Sequence, residues 1–194
     1  KDISVLNKLG FIPIIVHGGG KRISNKLNET DIKSEFIKGL RVTSKETIQV
    51  VEEVLIEFNK EIIEALKKQA CNSQTISSKQ NNIITVVQES VDLGFVGTPT
   101  KINKTIIDKI VDEKKVPVIA PLGLDENNQT YNINADTAAG SIAKKIEARR
   151  LIIMSDVEGV LDVNKKLIPE INSQSIKDLI NNEIVTGGMI PKIN

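Results

Sequence analysis

Apolar residues along this chain fall into short unbroken runs that alternate with stretches of helical spacing. The unbroken runs predict buried strands, over residues 11–16, 116–121 and 151–155. The helically spaced stretches predict amphipathic helices, over residues 21–28, from 104 onward, over 134–146, and over a last short segment capped by Ser173. Near-continuous apolar strands alternating with helices are typical of a mostly parallel sheet covered on both faces, so we expect an α/β fold with three αβα layers.

A longer helix is predicted from residue 43 to about residue 69. Thr43-Ser44-Lys45-Glu46 fits a capping box at its start. The apolar residues that follow share one face at helical spacing: Ile48, Val51, Leu55, Phe58, Ile62 and Ala65. Weaker strands are predicted near residues 74–77 and 83–89, followed by a turn-rich stretch over 92–97.

Composition narrows the classes of function. The chain has 194 residues, and 26 Lys plus Arg balance 25 Asp plus Glu to a net charge of +1. Such a balance gives no support to a nucleic-acid or membrane-surface partner, both of which usually need a basic patch. The single cysteine, Cys71, excludes an internal disulfide and a cysteine-based zinc site and suggests a reducing cytoplasm. Because the sequence opens at Lys1 and closes inside a motif, we expect a fragment of a longer protein.

Polar motifs follow the predicted strands, where parallel α/β folds bind their ligands. The first is His17-Gly18-Gly19-Gly20, whose glycines let backbone amides approach a bound anion. It matches neither common nucleotide-binding fingerprint. A tight turn without a ligand therefore stays open, and His17 is more often a hydrogen-bonded residue at a strand end than a general base.

The other motifs are individually weak. Arg41 precedes the long helix and has the side chain best suited to capture a carboxylate or phosphate, although a surface arginine is the commoner case. Asn132, Asn134 and Asp136 surround a helix start, where one of them could simply be the cap. Residues 155–162 form a glycine-containing loop after a strand, which could be a plain turn. Lys192 follows a glycine pair and could be only a surface charge.

The order of the motifs is more specific than any one of them. Six follow one another along the chain: HGGG, GLRVT, IAP-x-G, YNINAD, SDVEGVLD and GGMIPK. This succession resembles the acetylglutamate kinase branch of the amino acid kinase family. The resemblance implies transfer of the γ-phosphoryl group of ATP, with Mg²⁺, to the side-chain carboxylate of N-acetyl-L-glutamate in arginine biosynthesis. No metal site belonging to the protein itself is expected.

The same resemblance implies roles for individual residues. Gly19 and Gly20 would face the acceptor and the transferring phosphoryl group, and Arg41 and Asn132 would hold the acceptor. Asp136 would organise the catalytic lysines, among them Lys192, which would stabilise phosphoryl charge. A nucleotide site would be lined by Ser155, Asp156, Val157, Gly159, Val160, Leu161, Val185 and Thr186.

The resemblance also implies an organisation. Residues 1–147 would form an acceptor-binding and dimerisation domain that lacks its first strand, and residues 148–194 the truncated start of a nucleotide-binding domain. A homodimer would form near the long helix, and a hexamer is possible. Because the family's upstream Lys-x-Gly-Gly segment is absent, we expect this polypeptide alone to be inactive or badly impaired.

Two alternatives stay open. Residues 75–81 replace a Gly-Leu-Ser-Gly-like stretch of the family, which leaves room for a kinase with an aminoadipate-type acceptor. A non-catalytic amino-acid-binding paralogue would keep Arg41 and Asn132 but lose the residues that handle phosphoryl groups. The presence of Asp136 and Lys192 argues against this paralogue.

Overall fold

The computed structural model describes residues 1–78 and 82–193. The helices among these residues are α1 (Asp2–Lys8), α2 (Gly20–Glu29), α3 (Lys45–Lys67), α4 (Lys104–Asp112), α5 (Ala135–Ile146), α6 (Ser173–Asn181) and α7 (Ile190–Ile193). The strands are β1 (Ile15–Val16), β2 (Phe36–Ile37), β3 (Leu40–Arg41), β4 (Ser73–Ile76), β5 (Ile84–Gln88), β6 (Gly97–Ile102), β7 (Val116–Ile119), β8 (Leu122–Leu124) and β9 (Thr130–Asn132). Part of the family-atypical stretch over 75–81 lies outside the described residues.

A parallel sheet in the order β1-β7-β4 forms the centre of the molecule. Val118 of β7 is in register with Ile15 on one side and Thr75 on the other. All four residues of β7 are buried, as expected for a strand covered on both faces. The prediction of a mostly parallel central sheet is confirmed.

Helices cover both faces of this sheet. Val116 and Val118 of β7 point toward α3, where they pack with Leu66 and Cys71. Ile119 points the other way, into a cluster formed with α4 and α5. The alternation of side chains along a strand thus separates two apolar layers and produces the predicted αβα arrangement.

A second sheet extends the fold in the order β6-β5-β8-β9. Strand β5 pairs antiparallel with β6 and parallel with β8. Strands β6 and β9 were not predicted, because Gly97–Ile102 and Thr130–Asn132 contain few apolar residues. Strand β8 was not predicted because its apolar signal, Leu122-Gly123-Leu124, spans only three residues. Strands β2 and β3 form a separate hairpin.

Two predicted helix caps are corrected by the hydrogen bonds. Ser44, not Thr43, caps α3: its hydroxyl accepts the amide of Thr47 and donates to Glu46. The buried Thr43 instead bonds through its backbone to the loop after β5. Asn172, not Ser173, caps α6 through a capping box.

Two predicted strands are shorter or absent. Only Ile15 and Val16 of the run over 11–16 are paired. The prediction of a buried strand over 151–155 is wrong, since Ile152 and Met154 are 74% and 88% exposed and these residues pair with no strand that the structure describes. An apolar run becomes a strand only where a neighbouring strand pairs with its backbone and other residues cover its side chains.

Within the described ranges, no helix combines the length and apolar character needed to span a bilayer.

Candidate active site

The glycine turn lies at the carboxyl end of β1. Gly19 is the N-cap of α2, which begins at Gly20. A Cβ on Gly19 would lie 2.7 Å from Cδ2 of the buried Leu55, so the absence of a side chain lets the turn approach α3 closely. The first amides of α2 have no partners inside the helix, and they point outward from its N-terminus, the positive end of the helix dipole.

His17 is held by a closed hydrogen-bond network directly before this turn. Its Nδ1 lies 3.0 Å from the carbonyl oxygen of Gly18, and its Nε2 accepts from Nδ2 of Asn59 at 3.1 Å. Asn59 also donates to Val118 and accepts from Thr75, which fixes its amide orientation. Burial lowers the pKa of His17, so the ring is neutral and its Nδ1 donates. The geometry agrees with a structural histidine rather than a general base.

Arg41 lies on β3, with its guanidinium directed at the glycine turn. Its Nη atoms donate to the carbonyl oxygen of Gly20 and to the hydroxyls of Ser24 and Ser34. The guanidinium also lies 4.6 Å from the ring of Phe36, its cross-strand neighbour. Burial lowers the pKa of Arg41, and no carboxylate pairs with it in the part of the chain that the structure describes.

The two asparagines of the YNINAD motif have different positions. Asn134 caps α5, since its Oδ1 accepts the amides of Asp136 and Thr137. Asn132 ends β9, and its side-chain amide lies 3.4 Å from the hydroxyl of Thr43. Asn132 therefore contributes its amide to the same region as the glycine turn.

Asp136 and Lys192 form an ion pair across 56 positions of sequence, with Nζ 2.9 Å from Oδ2. Their side chains are only 19% and 25% exposed. Asp136 lies in the first turn of α5, where the positive end of the helix favours a carboxylate. The lysine is thereby held beside a helix N-terminus.

The hairpin tip explains how Lys192 reaches this position. Lys38 and Gly39 both have positive φ, as a two-residue type I′ turn requires. A Cβ on Gly39 would lie 2.7 Å from the carbonyl oxygen of Gly187. Glycine at this position lets the tip contact the 187–189 turn that leads directly into α7 and Lys192.

Two adjoining clefts result. The glycine cleft, of about 190 Å³, is lined by the 18–20 turn, Arg41 and Asn132, and Arg41 is its one charged lining residue among those described. The lysine cleft, of about 750 Å³, is lined by Lys38, Lys144 and Lys192 together with the carboxylates of Glu89 and Asp136. Leu40, Val96 and Asn134 border both clefts.

The structure brings some predicted site residues together and not others. Gly19, Gly20, Arg41 and Asn132 line the glycine cleft, and Asp136 and Lys192 line the lysine cleft. None of the eight residues predicted to line a nucleotide site borders either cleft. They are Ser155, Asp156, Val157, Gly159, Val160, Leu161, Val185 and Thr186.

These eight residues lie within residues 155–186, a stretch that we call the small lobe. Val160 and Val185 are buried against Leu179 in a core of their own, so their side chains serve packing here. Ser155, Asp156, Val157 and Thr186 are exposed. The nucleotide-binding role of this group stays a prediction.

Sequence reasoning missed Lys38 and Lys144. A single lysine on a hairpin turn or on a helix has no sequence pattern that distinguishes it from an ordinary surface lysine.

The described residues contain no group of three His, Cys, Asp or Glu side chains positioned for a metal ion.

The chain is similar to several known proteins. The sequence profile described as "Amino acid kinase family" matches residues 1–194. A protein named acetylglutamate kinase from Pelagibacter ubique (strain HTCC1062) is 67% identical over 193 residues, which cover 100% of this chain and 67% of that protein. Another protein of that name, from Rhodospirillum centenum (strain ATCC 51521 / SW), is 42% identical over 99% of this chain and 68% of its own length.

Solved structures share the fold. The crystal structure of smu.665 from Streptococcus mutans UA159 superposes with a TM-score of 0.94 at 33% identity, over 99% of this chain and 79% of that one. An N-acetylglutamate synthase from Neisseria gonorrhoeae, complexed with coenzyme A and N-acetyl-glutamate, gives 0.84 over 99% of this chain and 45% of that one. Its identity of 19% supports a common fold only.

Proposed function

This chain belongs to the amino acid kinase family, and on that premise we propose that it transfers the γ-phosphoryl group of ATP to the side-chain carboxylate of N-acetyl-L-glutamate. The product would be N-acetylglutamyl 5-phosphate, in arginine biosynthesis. The observation that carries the proposal is the 67% identity, along the whole chain, to a protein named acetylglutamate kinase.

The glycine cleft suits the acceptor. Arg41 supplies a buried positive charge with no acidic partner among the described residues, and Asn132 supplies an amide beside it. A buried cation of this kind favours an anionic ligand, because burial removes the water that stabilises the guanidinium and a bound carboxylate compensates its positive charge. We assign Arg41 and Asn132 to the α-carboxylate end of the acceptor.

The lysine cleft suits the phosphoryl group. In the proposed reaction, an oxygen of the acceptor carboxylate attacks the γ-phosphorus, the bond to the bridging oxygen breaks, and ADP leaves with that electron pair. A free glutamate carboxyl titrates near ~4.3, so the attacking group is already ionised and no base is needed. Catalysis then depends on alignment and on stabilising negative charge. Lys192, held in place by Asp136, would supply a positive charge that stabilises this negative charge. The amides of Gly19 and Gly20 would face the transferring group.

Mg²⁺ enters this proposal with the nucleotide. The described residues do not form a protein-held site of three or more metal-binding side chains. Magnesium in kinases commonly keeps several waters and is held by substrate phosphates with one or two carboxylates. We assign the metal to the bound ATP, where it would neutralise phosphate charge.

Two further points of organisation remain proposals. We assign residues 1–147 to acceptor binding and 148–194 to the nucleotide side, where the small lobe carries the eight predicted nucleotide residues. We also propose a homodimer in which α3 lies at or near the contact. Light scattering of the purified protein tests the dimer, and a monomeric mass at micromolar concentration would contradict it.

A coupled assay of ADP release, on protein expressed from the complete gene, tests the function. N-acetylglutamate should be turned over, whereas glutamate and aspartate should not. Faster turnover of N-acetyl-aminoadipate would favour the other acceptor class, and a folded protein without turnover of any of these acids would refute the proposal.

Arg41→Ala tests the acceptor assignment. It should mainly raise the KM for the acceptor, because it removes the binding charge rather than a group at the phosphorus. Arg22→Ala is the matched control, since Arg22 is an exposed arginine paired with Glu61 on the neighbouring helix. An unchanged acceptor KM in Arg41→Ala would show that this assignment is wrong.

A further inference from the structure

The surroundings of Arg41 contain a feature that the motifs do not show. The guanidinium is fixed by three oxygens, all of them uncharged: the hydroxyls of Ser24 and Ser34 and the carbonyl of Gly20. Both hydrogens of Nη2 are used, one on Ser24 at 2.8 Å and one on Gly20 at 3.1 Å. Nη1 donates to Ser34.

Neutral partners orient a guanidinium without neutralising it. A buried arginine usually meets a carboxylate, which fixes its position but also cancels its charge. Arg41 is only 7% exposed and has no such partner among residues 1–78 and 82–193. Its positive charge is therefore available to a ligand in the glycine cleft.

The two serines come from independent elements. Ser24 lies on α2, one turn after the glycines, and so connects Arg41 to the same helix whose first amides face the cleft. Ser34 lies in the loop before β2 and holds the other Nη atom. The ring of Phe36 covers one face of the guanidinium. Rotation about the end of the side chain would break at least one of these contacts.

We infer that Ser24 and Ser34 are positioning residues for the acceptor: they hold Arg41 over the glycine turn and keep its charge free for the carboxylate of an N-acylated amino acid. The inference rests on the proposed function. Neither serine touches the reacting atoms, so loss of a hydroxyl should weaken acceptor binding and leave the chemical step intact.

Steady-state kinetics with N-acetylglutamate and ATP varied separately, on protein from the complete gene, test the inference. Ser24→Ala and Ser34→Ala should each raise the KM for the acceptor about tenfold, with kcat and the KM for ATP within about twofold of wild type. Ser34→Asp should raise the acceptor KM further, because its carboxylate would pair with Arg41 and cancel the charge. Ser90→Ala, at an exposed serine of a turn, is the control and should match wild type.

A matched pair guards against a general loss of folding. Ser24→Thr and Ser24→Val have the same size and branching, but only threonine keeps the hydroxyl, so the acceptor KM should stay near wild type in the first and rise in the second. Calorimetric titration with N-acetylglutamate measures the same difference without turnover.

The outcomes separate the two hypotheses. An active wild type whose acceptor KM and binding constant are unchanged in both alanine variants would overturn the inference alone. Equal kinetics of Ser24→Thr and Ser24→Val would do the same. A wild type that binds N-acetylglutamate without turnover would overturn the proposed function, and the titrations would still decide the role of the serines. A wild type that neither binds nor converts it would overturn both.

Discussion

Gly19→Ala is the sharpest test of how the glycine turn is built. The added Cβ would lie 2.7 Å from Cδ2 of Leu55, a distance that side chains do not tolerate. The backbone itself is no obstacle, because Gly19 has a φ of −164°, an extended value open to any residue. We therefore expect packing against Leu55 to dominate the effect of the substitution.

The magnitude follows from the position of Leu55. This side chain is 1% exposed and packs with Val51, Ile23 and Leu27 between α2 and α3, so it cannot move without disturbing its neighbours. Overpacking of this kind costs about 1–3 kcal/mol. Alanine also caps a helix less well than glycine, by up to about 1 kcal/mol, but it lowers the entropy of the unfolded chain by a similar amount. The free energy of unfolding should fall by about 1–3 kcal/mol.

Urea denaturation measures this change, with Gly20→Ala as the control. Gly20 is the first residue of α2, and a Cβ there would meet no atom within 4 Å. Its substitution should leave the free energy of unfolding unchanged or raise it by up to about 1 kcal/mol. In a Leu55→Ala background, Gly19→Ala should lose most of its effect, because the colliding methyl group is gone.

Two results would refute this reasoning. Equal stabilities of Gly19→Ala and Gly20→Ala, within about 0.5 kcal/mol, would show that Leu55 moves aside at no cost. Additive effects of Gly19→Ala and Leu55→Ala would show that the destabilisation has another origin.

Three other predictions concern charge, protonation and helix packing. Lys192→Ala should lower kcat by about 10²–10³-fold and change either KM much less, because it removes charge stabilisation of the transition state; steady-state kinetics that show only a raised KM would contradict this role. Burial holds the pKa of His17 below its ordinary value of 6.5, so below pH 6.5 the unfolded chain binds more protons than the folded chain and the free energy of unfolding falls as the pH is lowered. Urea titrations from pH 8 to pH 5 should show this loss of stability in wild type and less of it in His17→Gln, and an equal pH dependence in the two proteins would contradict the prediction. Gly140→Ala, at an interior position of α5 where a Cβ meets no atom within 4 Å, should raise the free energy of unfolding by about 0.5–1 kcal/mol; a lower melting temperature would show that this glycine is needed for packing.

The helices were largely predictable from the sequence. The apolar stripe from Ile48 to Leu55 and the pair Ile23 and Leu27 are buried where helical spacing places them. The caps were harder to predict, because Thr43 and Ser44 both fit the start of α3. Only the hydrogen bond that the Thr47 amide donates to the Ser44 hydroxyl decides between them. Such neighbours differ in tertiary contacts rather than in local propensity.

Strands were harder to predict. The apolar run of β7 became the centre of the sheet, whereas the equally apolar run over 151–155 pairs with no strand among the described residues and is largely exposed. Both runs have strand composition, and pairing partners alone separate them. Conversely, Gly97–Ile102 contains few residues that favour a strand, and it becomes β6 because its backbone pairs antiparallel with β5.

The sequence by itself determined the family and the kinds of group in the site: a glycine turn, an arginine, two asparagines, an aspartate and a lysine in a characteristic order. The resemblance already implied that Asp136 organises Lys192, but only the tertiary structure decided that the two form a direct ion pair. It alone decided that serines rather than carboxylates surround Arg41. The physical reason is that local order depends on neighbours in the chain, which the sequence states directly. Charge pairing and desolvation depend on which distant residues the packed layers bring together.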